Sequence, residues 1–244
     1  MSLAVVDIGN TSIKFVLWNP DFHIESLRSN LSRALEECVR HNVEDVAFCT
    51  TRQLSEQERS MIEAAGWWEL KYGVGLPISI NYDTPETLGA DRLALAVGAW
   101  KLYDEKPVVV ADSGTALTLD VMGRGGVFLG GNISPGLEMR LDSLHKYTSR
   151  LPRVNNTECG GNYFGTDTSS AIGAGCRYGL AYEADGAFRM ARLNHGTELM
   201  VVTGGDGKQL FEDLKHMFGE DYPVEYNSEL LAQGLKTAYE YNHE

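Results

Sequence analysis

The chain has 244 residues, 43% of them hydrophobic and 23% charged, with a mean hydropathy of −0.23, which excludes disorder over most of its length. Twenty-one basic against thirty-four acidic residues give a net charge of −13 and a pI near 4.9. That balance lacks the basic footprint that duplex nucleic acid or an anionic membrane surface requires, so neither is expected as a partner.

The apolar run Leu3 to Val6, the turn Asp7-Ile8-Gly9-Asn10-Thr11 and the β-type run Ile13 to Trp18 predict a hairpin. Ser29 and Ser32 are candidate caps for a helix over Ala34 to His41, and Val43 to Thr50 reads as a strand. Ser55-Glu56-Gln57-Glu58 has the capping-box pattern, with Gly66 as the stop of the helix it starts. Leu76 to Tyr82 is extended, Pro85 marks a turn, and Ala90 to Tyr103 is a helix with Leu93, Ala96, Val97 and Trp100 on one face. After Pro107 a strand runs into Asp112-Ser113-Gly114-Thr115 and a second alternating strand to Val121. A Gly-rich turn at 123–126, a loop over Gly130 to Gly136 and a helix from Leu137 follow, with Leu137, Leu141 and Leu144 along one side. Asn155 to Asp167 is loop-like, Thr168 to Glu183 is a small-residue helix, and Leu199 to Val202 is a strand ending in Thr203-Gly204-Gly205. Helices from about Lys208 and Ser228 complete the pattern. No apolar run reaches the roughly 18 residues of a membrane span, and the first residues carry no basic leader pattern. Cys38, Cys49, Cys159 and Cys176 form no C-x-x-C pair or zinc spacing, so they read as reduced thiols of a cytoplasmic protein.

At an offset of 105 residues the segment from Pro107 repeats the opening: Val6 and Ala111 precede Asp7 and Asp112, and Gly9 matches Gly114. Strand, Asp-x-Gly, strand in duplicate predicts two similar α/β halves, 1–106 and 107–244. A glycine free to take positive φ lets consecutive backbone N–H groups converge on an anion. Asn10, Thr11 and Ser12 add donors there, and Lys14 adds charge. Asp7 is a carboxylate of the kind that holds Mg²⁺ with phosphate oxygens, although a plain hairpin with a capping Asp is spelled the same way. Thr203-Gly204-Gly205 leaves backbone open to a flat ligand or a ribose. Gly89-Ala90-Asp91-Arg92 sets Asp91 and Arg92 at a helix start, where free amides favour anions. Arg92 can fork onto a carboxylate or phosphate and Asp91 can accept a hydroxyl proton; a capping Asp beside a surface Arg is the alternative. Neither G-x-x-x-x-G-K-[ST] nor a G-x-G-x-x-G after the first strand is present, which excludes P-loop and Rossmann sites.

Two phosphate turns followed by a nucleoside turn resemble the acetate and sugar kinase, Hsp70 and actin superfamily. This implies two ribonuclease H-like (actin-like ATPase) domains in tandem with the nucleotide cleft between them. More narrowly, Asp7-x-Gly-Asn-Thr, Gly-x-Asp-Arg at 89–92, Asp112-x-Gly-Thr, Gly130-Gly-x-Ile-x-Pro-Gly136 and Thr203-Gly-Gly together resemble type III pantothenate kinases over nearly the whole chain. The resemblance implies ATP-dependent phosphorylation of pantothenate to 4'-phosphopantothenate, the first step of coenzyme A synthesis. It implies that Asp7, Ile8, Gly9, Asn10, Thr11, Ser12, Ile13, Lys14 and Thr115 bind ATP. Tyr82, Gly89, Ala90, Asp91, Arg92 and Thr168 would bind pantothenate, with Asp91 as catalytic base. Asp112 would hold a monovalent cation, K⁺ or NH₄⁺, and Mg²⁺ would accompany ATP near Asp7. A homodimer is implied, with the Leu137/Leu141/Leu144 face and the small-residue helix at 171–175 as candidate contact surfaces. The family usually has Asn before the substrate Thr, where this chain has Asp167.

In phosphoryl transfer through a loose transition state, positioning and charge stabilisation dominate. An ordinary carboxylate with a pKa of about 4 therefore suffices for Asp91 as a late proton acceptor. Arg92 would anchor either the pantothenate carboxylate or the moving phosphoryl. Two further readings are a kinase of the same fold for another small alcohol or carboxylate, and a non-catalytic ATP-binding regulator. Tyr82, seven residues before Gly89, argues against the first; intact Asp91, Asp112 and Thr115 argue against the second.

Overall fold

The computed structural model describes residues 2–10, 12–19, 22–103, 106–156 and 162–243. They form two compact units, the first made of Met1–Glu105, Gly125–Phe128 and Glu229–Glu244, the second of Lys106–Arg124 and Leu129–Ser228.

In the first unit β1 (Leu3–Ile8) is the central strand of a five-stranded sheet. It pairs antiparallel with β2 (Ile13–Asn19) and parallel with β4 (Asp45–Thr50); β3 (Phe22–Ser29) and β5 (Trp68–Glu69) form the edges. Ala4, Val6, Ile8, Phe15 and Leu17 share one buried cluster with Leu31 and Ala34 of α1 (Leu31–Arg40) and Ile62 of α2 (Glu56–Ala64). The predicted hairpin and capping box are both present, and Gly66 ends α2 at φ 68°. Ser29, expected near a helix cap, instead closes β3. The cap of α1 is Asn30, whose Oδ1 accepts the Arg33 amide at 2.9 Å.

Helix α3 (Ala90–Leu102) was expected to bury one face, yet every residue from Arg92 to Ala99 is buried. The cause is α7 (Leu230–His243), which packs on α3 backbone to backbone. A Cβ on Gly234 would fall 1.8 Å from the Ala94 carbonyl oxygen, and one on Gly98 2.4 Å from that of Leu230. Two helices can approach this closely only where neither carries a side chain. Tyr239 of α7 reinforces the contact, meeting Trp68 edge-on at 5.6 Å and hydrogen-bonding Asp45. Helix α7, which follows the second unit in sequence, thus folds into the first. Short strand β6 (Ser79–Ile80) pairs with Val127 and Phe128, which also belong to this unit.

The second unit repeats the hairpin-plus-parallel plan. Strand β7 (Val108–Ser113) is antiparallel to β8 (Ala116–Gly123) and parallel to β10 (Leu199–Thr203), which in turn pairs with β11 (Val224–Tyr226). The segment 130–136, expected to be a loop, is mostly the end of β9 (Val127–Pro135) beside β8. Gly131 is what permits that approach, since a Cβ there would meet the Leu119 carbonyl oxygen at 2.3 Å. The core joins Val109, Ala111, Leu117 and Leu119 to α4 (Leu137–Tyr147), α5 (Thr168–His195) and α6 (Gly207–Phe218). Leu137 and Leu141 are fully inside it and Leu144 packs against it, so that row is core, not a contact surface. Arg177 on α5 forks onto Asp213 of α6 at 2.8 and 2.6 Å. No helix among the described residues is long and apolar enough to cross a membrane.

Gly234→Ala tests the backbone contact. Helix propensity alone would favour alanine by about 1 kcal/mol, whereas the steric conflict with Ala94 should give a net loss of about 1–3 kcal/mol in urea unfolding. A stabilised variant would show that α3 and α7 do not pack this way.

Candidate active site

Asp7 stands at the end of β1, with Lys14 opposite it on β2 and Cys49 beside it on β4. The Cys49 thiol donates to Asp7 Oδ1 at 3.9 Å and is itself held well above its usual pKa by burial, so it stays a neutral donor. Burial pushes the Asp7 carboxyl up to about 6; the charge of Asp91 adds to the rise, while Lys14 and the thiol oppose it. Ile8 and Ile13 close the hairpin with side chains in the core, which leaves only their backbone to offer a ligand. Gly9 does not use the left-handed φ expected of it. Its requirement is space: its N–H donates to the Ser12 carbonyl at 3.1 Å, and a Cβ would lie equally near that oxygen. Asn10 is exposed and Ser12 half-buried, and Thr11 lies outside the described residues.

Gly89 is the N-cap of α3 and explains the Gly-x-Asp-Arg motif in steric terms. A Cβ at Gly89 would sit 2.4 Å from Asp91 Oδ1, so the missing side chain is the room that the carboxylate occupies. That oxygen accepts the Arg92 amide at 2.8 Å. Burial raises the Asp91 pKa, and the Arg92 amide and guanidinium oppose the rise without cancelling it, so the ordinary value expected above is revised upward. Ala90 is the first residue of the helix. Arg92 is buried, not a surface residue, with its guanidinium 5.8 Å from the Tyr82 ring centre and 5.6 Å from that of Phe128. Phe128 was not found by sequence reading, because only the pairing of β6 with β9 brings it beside Tyr82.

In the second unit Asp112 and Thr115 bracket the β7–β8 turn. Gly204, at φ 97°, is pressed onto this turn: a Cβ there would meet Asp112 Oδ1 and the Ser113 carbonyl oxygen, each at 2.3 Å. The Asp206 amide donates to that Ser113 oxygen at 2.8 Å. Gly136 approaches from the other side, its N–H donating to the Thr115 carbonyl at 3.1 Å. Two Gly-bearing segments far apart in sequence thus converge on one backbone turn. Thr168 opens α5 on an exposed surface. Asp167 before it caps the helix, accepting the Ser170 amide at 3.0 Å, a role that Asp fills as well as Asn. Thr168 also lines an open cavity of about 600 Å³ with Arg140, Ser143, Ile172 and Cys176. The first unit thus brings together Asp7, Lys14, Cys49 and Asp91, and separately Arg92 with Tyr82; the second brings together Asp112, Thr115 and the Gly204 turn.

Solved structures share this fold at low identity. A Baf family transcriptional activator from Campylobacter jejuni superposes with a TM-score of 0.64 at 20% identity, covering 98% of both chains. A ROK family glucokinase from Streptomyces griseus gives 0.56 at 12% identity, covering 100% of this chain and 99% of the other. The fold is that of the actin-like kinases, with two ribonuclease H-like domains in tandem. Within that class, residues 3–190 match the family model of type III pantothenate kinase. Type III pantothenate kinases of Porphyromonas gingivalis W83 and Bacteroides fragilis YCH46 are 32% and 33% identical to this chain over 245 aligned residues, covering 98% of each partner. The chain belongs to the type III pantothenate kinase family.

The raised Asp7 pKa has a signed consequence. The folded state holds this proton more tightly than the unfolded chain, so its ionisation costs stability as pH rises from near 4 through about 6. Asp7→Asn should remove that cost, making the ligand-free protein more stable than wild type by up to about 3 kcal/mol at pH 7.5, with the difference vanishing near pH 4. Denaturant unfolding of both proteins across pH measures it; a constant difference would refute the assignment.

Proposed function

We infer that this chain transfers the γ-phosphoryl group of ATP to the primary hydroxyl of pantothenate, giving 4'-phosphopantothenate at the entry to coenzyme A synthesis. Family membership supports the reaction. At the level of residues one observation carries it: a desolvated carboxylate, Asp91, folded over a helix start in the space left by Gly89 and within the electrostatic reach of Asp7. Asp91 accepts the hydroxyl proton as the bond to phosphorus forms, and its raised pKa makes it a better acceptor than a solvated Asp. Arg92, backed by Tyr82 and Phe128, presents a fixed positive charge to the acceptor's carboxylate or to the moving phosphoryl. Gly89, Ala90 and Thr168 complete the acceptor contacts in this reading.

The Asp7 hairpin, with Gly9, Asn10, Thr11, Ser12 and Lys14 and the backbone of Ile8 and Ile13, is assigned to the ATP phosphates, as is Thr115. The donor set at Asp7 fits a divalent ion, since its carboxylate oxygens are hard ligands and two acidic groups there influence each other. Mg²⁺ bound there neutralises phosphate charge. A monovalent ion, K⁺ or NH₄⁺, is assigned to Asp112, whose oxygen faces the cradle that a Cβ on Gly204 would fill. The repeats 1–106 and 107–244 serve as the two ATPase halves, and the setting is cytoplasmic. We assign a homodimer as the working form, the open faces of Ala171 and Gly175 beside Thr168 being surfaces that a second copy would cover.

ADP release with MgATP and KCl should depend on pantothenate, with phosphopantothenate identified by mass; release without such dependence would overturn the acceptor. Asp91→Asn should lower kcat by about a hundredfold or more in a protein that melts like wild type. Near-normal turnover would remove Asp91 as the base. Replacing K⁺ by Na⁺ should nearly abolish the reaction, and equal rates in both would release Asp112 from cation binding.

A further inference from the structure

Thr118 of β8 lies directly opposite Asp112 of β7 in the antiparallel ladder. Residues opposed in this way project to the same face of the sheet with their Cβ atoms about 5 Å apart. It is the face turned away from the helix-covered core of this unit, although it too carries buried apolar residues, Val108, Val110 and Met122. Leu117 and Leu119, on either side of Thr118, point into the core beneath α4, α5 and α6, as does Ala111, the neighbour of Asp112. Thr118 therefore shares the opposite face with Asp112 and with Asp120, two residues along the strand, whose carboxyl is buried. Thr118 is itself only 8% exposed, and its Oγ1 has no hydrogen-bond partner among the described residues. A buried hydroxyl left in that condition is unfavourable and uncommon in folded proteins. The β-branched shape that suits a strand could be had without the hydroxyl in valine.

We propose that the Thr118 hydroxyl is an oxygen ligand of the monovalent cation held at Asp112, so that the two residues opposed across β7 and β8 bind the ion together. A neutral oxygen beside one carboxylate is the donor type that a weakly charged alkali ion takes readily. The hydroxyl, engaged by no neighbour among the described residues, keeps both lone pairs for the ion. Gly204 contributes by absence, keeping the near side of the Asp112 carboxylate clear of a side chain. This inference rests on the cation reading of Asp112 given above and adds a residue to it.

The test is thermal unfolding of the whole chain with MgADP present, titrated with KCl against choline chloride at constant ionic strength. Wild type should gain melting temperature with a saturable dependence on K⁺. Thr118→Val should be at least as stable as wild type in choline chloride, because it removes an unsatisfied buried hydroxyl. Its half-saturating K⁺ concentration should rise about tenfold or more, the scale of one lost contact to a charged group. Thr118→Ser, which keeps the oxygen, should stay near wild type, and Thr118→Ala should follow valine, carrying the comparison if valine is poorly accommodated. The same shift should appear in the K⁺ dependence of turnover, with kcat recovered at saturating K⁺. A hydroxyl-free variant with the wild-type midpoint would overturn the role of Thr118 while leaving the ion at Asp112. A wild type indifferent to K⁺ would overturn both.

Discussion

The structure depends on backbones that approach until a single Cβ would separate them. Gly204 rests on Asp112 and Ser113, Gly136 hydrogen-bonds the neighbouring carbonyl, Gly89 makes way for Asp91, and Gly98 and Gly234 let α3 and α7 touch. At most of these positions steric room is needed, and only Gly204 combines it with left-handed backbone. Interiors packed to crystalline density transmit such contacts as rigid constraints. Asp91 and Asp112 are consequently held where glycines without side chains leave room for their carboxylates.

That arrangement has an electrostatic cost in the first unit. Asp7 and Asp91 influence each other in a partly desolvated setting, with Lys14 and a neutral thiol as the compensation. Neither carboxyl sits at its ordinary pKa. Burial that raises a carboxyl's pKa penalises its charge, and a positive charge placed nearby relieves that penalty.

Much of this was legible in the letters. The repeat of Asp-x-Gly between strands located both turns, the capping box located α2, and Gly-x-Asp-Arg located the start of α3. What escaped was set by tertiary contact. Strand β3 was missed because its ladder to β2 slips between Phe15 and Leu17, which breaks the period-two alternation that betrays a strand. The segment 130–136 looked like a loop because its glycines serve packing on β8, and glycine in a strand normally reads as punctuation. Phe128 carried no local signal at all, since its partner Tyr82 lies in a different part of the chain. Arg92 looked superficial because burial of a guanidinium beside a pair of aromatic rings depends on both of them being in place.

The membership of α7 in the first unit has a consequence for the order of events during synthesis. On the ribosome the sheet of the first unit and α3 emerge before the entire second unit, yet the helix that covers α3 follows it. Domains generally fold as they appear, but here the earlier one must wait with an apolar helix uncovered until the later one has been made. The segment carrying Asp91 is therefore among the last to become rigid. A nascent chain has displayed the whole second unit before α7 is available to cover α3.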